Sequence, residues 1–183
     1  MKLWQLPRAK KTFLRRETIA PMEIERQFLV MDAATVPLRQ AVARHHIEQG
    51  YLSFQPELRI RHMDEKYFFT FKSAGGLVRR EEEFAITAED YASLREHVQG
   101  ELLVKQRYEL PLSPGETAVY DVYEEGLQGL CMVEVEFPSV EVAQAFTPPF
   151  WFGQEITYDA RLTAANLVQY GWAWFEEILR AQR

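Results

Sequence analysis

Charged side chains recur two residues apart along nearly every stretch of this chain that has strand character, and this pattern constrains the fold most. Glu23 and Glu25 flank Ile24, Arg59 and Arg61 flank Ile60, Lys105 and Arg107 flank Gln106, and Glu134 and Glu136 flank Val135. Arg79, Glu81 and Glu83 repeat the spacing, while Lys72 and Asp121 oppose Phe71, Tyr120 and Val122. Strand side chains alternate faces, so each stretch has a charged face and an apolar face. For one strand alone, a solvated charged face explains this. For the set, two details weaken that explanation without removing it. Same-sign pairs at close quarters repel without counter-ions, and the sign changes strand by strand: acidic, basic, mixed, basic, acidic. In a closed barrel covered outside by helices, the charged face is the lumen. Such a lumen suits a polyanion carrying divalent metal, because carboxylates take hard cations and arginine and lysine take phosphate oxygens.

The rest of the chain supplies the pieces of such a barrel. Strands are predicted over 22–31, 51–54, 57–63, 66–73, 78–86, 102–110, 118–125 and 130–137. The turns between them contain Pro56, Asp64-Glu65, Gly75-Gly76 and Ser113-Pro114-Gly115. A short helix is expected over 36–48, carrying His45 and His46. A second is expected over 88–98, behind Thr87 as N-cap with Asp90 three residues on. A helical stretch near 140–146 precedes Pro148-Pro149, and a last helix over 163–182 is broken or bent near Gly171. About eight strands with hairpin-length connections and a few helices make an α+β domain, either an antiparallel β-barrel or a strongly curved sheet.

Charge bears on the partner. The chain of 183 residues has a formal net charge of −6, which argues against a general nucleic-acid binder. Residues 1–21 carry six basic groups against Glu17, or +5, leaving −11 for the remainder. They read as a basic extension, whether a transit peptide, a disordered arm or a stretch upstream of the true start at Met22, with the domain proper over 22–183. A domain that negative does not attract polyanions through its overall field, so local clusters or metal ions must hold one. The single cysteine, Cys131, excludes an intrachain disulfide and points to a reducing, cytoplasmic setting. No apolar run approaches the ~18 residues of a membrane span, and the first 21 lack the apolar centre of a secretory signal.

The segment Glu23-x-Glu25-x-Gln27 resembles the ExExK signature of the CYTH superfamily, the triphosphate tunnel metalloenzymes. Further blocks follow in that family's order: LRIR (58–61), YFFTFKSAGGLVRREEEF (67–84), KQRYELP (105–111), YDVYEEGLQGLCMVEVEF (120–137) and WFGQEITYDAR (151–161). The similarity covers about residues 22–171 and is closest to bacterial inorganic triphosphatases. It implies an eight-stranded antiparallel tunnel with covering helices and a C-terminal helix. It also implies Glu23, Glu25, Glu134 and Glu136 as ligands of Mg2+ or Mn2+. Glu81, Glu83 and Asp121 would support the metal site or the attacking water. Arg59, Arg61, Lys72, Arg79, Lys105 and Arg107 would bind the phosphates of a small triphosphate or polyphosphate, with no nucleic acid or membrane as partner.

Two positions depart from the family pattern. Gln27 stands where the signature has lysine, and Ala160 where a lysine commonly follows the aspartate of the late motif. Gln27 can donate a hydrogen bond to substrate but carries no charge. Arg26 is nearby but has the wrong parity to enter the lumen. The readings that follow are a metal-dependent triphosphatase, a non-catalytic polyphosphate-binding protein weakened at these two positions, and a class IV adenylate cyclase, which would need an adenine pocket. His45, His46, His62 and His97 show no zinc spacing, and Cys131 lacks a base partner and reads as a packed thiol. Tyr170, Trp172, Trp174 and Phe175 are expected to seat the last helix on the barrel, and an exposed aromatic stripe there would favour a homodimer.

Overall fold

The computed structural model describes residues 22–73, 77–113 and 115–181. Eight strands run Met22–Leu29 (β1), Ala43–Phe54 (β2), Glu57–Met63 (β3), Lys66–Lys72 (β4), Val78–Ile86 (β5), Gln99–Pro111 (β6), Thr117–Tyr123 (β7) and Cys131–Glu136 (β8). Four helices run Ala88–Arg95 (α1), Val140–Ala145 (α2), Ala164–Tyr170 (α3) and Trp172–Ala181 (α4). The strands close into a barrel in the order β1-β5-β4-β3-β2-β6-β7-β8, with β8 returning to β1 and every pairing antiparallel. Among the described residues no helix is long and apolar enough to cross a membrane. The basic stretch 1–21, the Gly75-Gly76 turn, Pro114 and Gln182 lie outside the described residues.

One expected element is absent. No helix forms over 36–48; two short 3-10 turns, Ala33–Thr35 and Leu38–Gln40, lead instead into β2. This strand is twelve residues long and pairs with β3 on one side and β6 on the other. Neighbours on both edges satisfy its backbone, and that tertiary pairing overrides a weak local preference. His45 and His46 are therefore strand residues, and the predicted strand 51–54 is only the end of β2. Gly50 sits where any Cβ would come within 2.6 Å of Val98, so the bare backbone lets the segment after α1 pack on the barrel wall.

The barrel wall has two faces, as alternation requires. Phe28, Tyr120, Val133 and Val135 point outward into a buried cluster with Phe137, Ala143, Trp151 and Phe152, which α2 and the 146–152 loop bring in. Arg26 shares that outward face. It donates to Glu155 at 2.8 and 2.6 Å and to the carbonyls of Ala143 and Phe146, fixing the loop to β1. A second buried cluster involves the C-terminal segment. There the lumen-facing Tyr51, Tyr123 and Met132 meet Ile156, Leu162, Leu167, Phe175 and Ile178 of the C-terminal segment. Thr163 caps α3 by accepting from the Asn166 N–H, and Gly171, with φ of 82°, ends it by donating to Leu167. Phe175 is fully buried, whereas Tyr170 is 53% exposed and rests against Trp174 with ring centroids 4.6 Å apart.

Candidate active site

The lumen encloses a cavity of about 590 Å3. Of the residues singled out above, Glu23, Gln27, Arg59, Arg61, Lys72, Arg79, Glu81, Glu83, Lys105, Arg107, Glu134 and Glu136 all line it. Strand alternation alone brings them there, from six strands. Two behave differently. Asp121 does not line the cavity; it is 2% exposed and lies behind the cations. Lys105 donates to it at 2.6 Å and Arg107 at 2.8 and 2.7 Å. Glu25 lines a small adjoining cavity of about 20 Å3 with Gln27, Arg79, Thr157, Asp159 and Ala160. The two departures from the family pattern, Gln27 and Ala160, thus meet in one place.

The charges interlock. Arg79 Nε donates to Glu23 at 2.8 Å and its Nη2 contacts Glu25. Lys72 pairs with Glu23 at 3.2 Å and also with Glu81. Arg61 donates to Glu83 at 2.6 Å, and Arg59 and Arg107 reach Glu81 and Glu134 at 3.5 Å. Gln27 Nε2 donates to both Glu25 and Glu134, cross-strand neighbours of β1 and β8 in which Gln27 faces Glu134 and Glu25 faces Glu136. The Nε groups of Arg59 and Arg61 are buried and make no hydrogen bond among the described residues. Such groups are costly unless an acceptor reaches them, and phosphate oxygens in the cavity are suitable acceptors.

Proton affinities follow from this crowding. Burial and then the charge on Glu134 push Glu25 up to about 8, against the pull of Arg79. Glu136 is raised by burial and by Glu23 and Glu134. Glu81 is raised by burial and by its hydrogen bond to Glu23. Burial opposes ionisation of Glu23 too, but the Glu81 bond with Lys72 and Arg79 holds it well below the usual carboxylate range. Lys105 is lowered to about 8 by burial, with Arg107 adding repulsion and Asp121 opposing both.

Among the described residues no three acidic, histidine or cysteine side chains converge as a ready cage for an ion, since Arg79 and Gln27 engage Glu23, Glu25 and Glu134. The donor chemistry does fit a hard divalent cation. Glu25, Glu134 and Glu136 offer oxygen ligands on adjacent strands, and burial with mutual repulsion makes Glu25 and Glu136 accept positive charge readily.

Strand alternation left several lining residues unread. Glu57 shares parity with Arg59 and Arg61, Tyr123 with Asp121, and Met132 with Glu134, so the signal was present for all three. Gln49 falls between the expected helix over 36–48 and the expected strand over 51–54, and Tyr51, though within that strand, carries no charge to mark its face. Thr163, Ala164 and Ala165 line the cavity from the start of α3, which no strand periodicity could show.

No family model matches the chain. It is 42% identical over 147 residues to the inorganic triphosphatase of Nitrosomonas europaea, covering 76% of this chain and 91% of that one. Among solved structures, a crystal structure of an inorganic triphosphatase matches with 36% identity and a TM-score of 0.59, covering 80% of this chain and 93% of that one. A protein from Pyrococcus horikoshii shares the fold at 18% identity with a TM-score of 0.56, over 88% of this chain and 100% of that one.

Proposed function

Since the chain belongs to the inorganic triphosphatase branch of the CYTH superfamily, we propose that it is a metal-dependent hydrolase removing the terminal phosphoryl group of inorganic triphosphate or a related small triphosphate. One observation carries this reading: a lumen cavity lined by six basic side chains, two of them with buried Nε groups that make no hydrogen bond among the described residues, beside carboxylates that favour a cation.

In this account Arg59, Arg61, Lys72, Arg79, Lys105 and Arg107 bind phosphate oxygens and hold the chain in line for attack by water. A bond forms between the water oxygen and the terminal phosphorus, the bridging P–O bond breaks, and pyrophosphate departs with its electrons. Glu81 and Glu83 orient the attacking water, and one of these two carboxylates takes up the single proton it releases. Asp121 acts through Lys105 and Arg107, fixing their direction. Glu23, Glu25, Glu134 and Glu136 would hold Mg2+ or Mn2+, whose chemistry is to neutralise charge on the phosphoryl oxygens and the leaving group. A reducing cytoplasm is the setting consistent with one buried free cysteine.

Gln27 and Ala160, meeting at the small cavity, favour one second reading: a triphosphate-binding protein with little turnover. A panel of tripolyphosphate, thiamine triphosphate and ATP with each metal separates these. Phosphate release from tripolyphosphate supports hydrolysis; binding by calorimetry without release supports the second reading. Cyclic AMP formed from ATP would contradict both.

A further inference from the structure

Gln49 is a neutral polar side chain buried among charges. It is 1% exposed, lines the cavity, and stands opposite Arg61 on β3. Its amide Nε2 donates to the Tyr51 hydroxyl at 2.8 Å. Tyr51 is also 1% exposed, lines the same cavity, and stands opposite Arg59. This is the only hydrogen bond its hydroxyl makes among the described residues.

A phenol oxygen that accepts from an amide still carries one hydrogen of its own to donate. The arginines facing Gln49 and Tyr51 across the strands cannot accept it, since guanidinium is a donor only. Burial, with the charge on Glu57 adding to it, pushes Tyr51 far above the usual phenol range, so the hydrogen stays on the oxygen. Although Glu57 lines the same cavity, no described residue accepts this hydrogen, and an anion bound in the cavity supplies the acceptor.

We propose that Gln49 is a positioning residue for the triphosphatase reaction: by donating to the Tyr51 oxygen, it leaves the phenol hydrogen to donate to a phosphate oxygen of the substrate. The inference rests on the hydrolase reading. Gln49 itself need not touch substrate. Its contribution passes through Tyr51, which adds a neutral donor to a wall of cations and so orients the phosphate without further charge repulsion.

The test is a double-mutant cycle with tripolyphosphate and Mg2+, using Gln49→Met, Tyr51→Phe and the pair. Gln49→Met should lower kcat/KM about tenfold, the scale of one oriented hydrogen bond. In the Tyr51→Phe background the same change should cost no more than about twofold, because the effect it removes is already gone. Gln49→His, which restores an N–H donor, should recover most of the loss. Gln49→Glu can only accept while ionised and would turn the phenol hydrogen toward itself. Its added charge costs the same in both backgrounds, whereas lost orientation costs only when Tyr51 is present, so it carries the cycle if Gln49→Met does not fold. Equal losses in both backgrounds, or no loss in either, would overturn the proposal. If the wild type releases no phosphate, the hydrolase reading fails and the cycle is read on tripolyphosphate binding, with the same coupling expected. If the wild type is active and the two substitutions act independently, this inference alone fails.

Discussion

The Lys105 ammonium lies 2.6 Å from the Asp121 carboxylate, with the two side chains only 5% and 2% exposed. Arg107 shares the same carboxylate. One buried anion therefore aims two cations at the cavity. Asp121→Asn leaves both without a full counter-charge, and removal of one member of such a buried group costs about 3–5 kcal/mol. The melting temperature should fall clearly in calorimetry, and KM for tripolyphosphate should rise as the cations lose their alignment. An unchanged melting temperature would show that the cations do not depend on Asp121.

The lowered Lys105 fixes a pH dependence. Its folded pKa, about 8, lies below the ordinary lysine value, so the folded state releases this proton first. Stability gained from this group should rise as pH climbs from about 8 through the unfolded lysine range, because the unfolded chain binds more protons there. Substrate binding should move the opposite way, weakening above about pH 8 as the charge is lost. Chemical denaturation and KM measured across pH 7 to 10 would show the two trends diverging; parallel trends would contradict this assignment.

Gln27 and Ala160 border the same small cavity beside Glu25 and Arg79. Lysine at either position adds a charge-assisted contact worth about 1.5–3 kcal/mol. Gln27→Lys with Ala160→Lys should therefore raise kcat/KM for tripolyphosphate by at least about tenfold. A flat response would mean that turnover is not limited by these two missing charges.

Arg26 separates scaffold from chemistry. It lies on the opposite side of β1 from Glu23 and Glu25, holding Glu155 and two loop carbonyls. Arg26→Met should cost about 1–3 kcal/mol of stability by leaving those acceptors unpaired. The kcat/KM of the folded variant should stay within a factor of about two, its spread set by small shifts in β1. A large kinetic loss without a stability loss would place Arg26 in the site.

These contrasts explain what could be read in advance. The side-chain period of two is rigid, so Glu23, Arg59, Lys105 and Glu134 announced a shared face before any barrel was seen. The same rule reached Arg26, whose parity, opposite to that of Glu23 and Gln27, sends it outward. It gave no help where the local pattern was misjudged. His45 and Ile47, expected in a helix, belong to a strand because β3 and β6 flank it, and that information lies far along the chain. Asp121 had the right parity but the wrong depth, because parity names a face and not how far a short side chain reaches past two long cations. The start of α3 at the cavity depends on where the C-terminal segment docks, through Leu162, Leu167 and Phe175, which periodicity within one element does not encode.

The most direct test of the central claim is phosphate release from tripolyphosphate with Mg2+ or Mn2+, measured for the wild type and Glu134→Ala. The account predicts release by the wild type that is abolished by chelation and reduced at least about a hundredfold by Glu134→Ala, the scale of a lost metal ligand or its close support. No release by the wild type, or release that Glu134→Ala leaves unchanged, would contradict it.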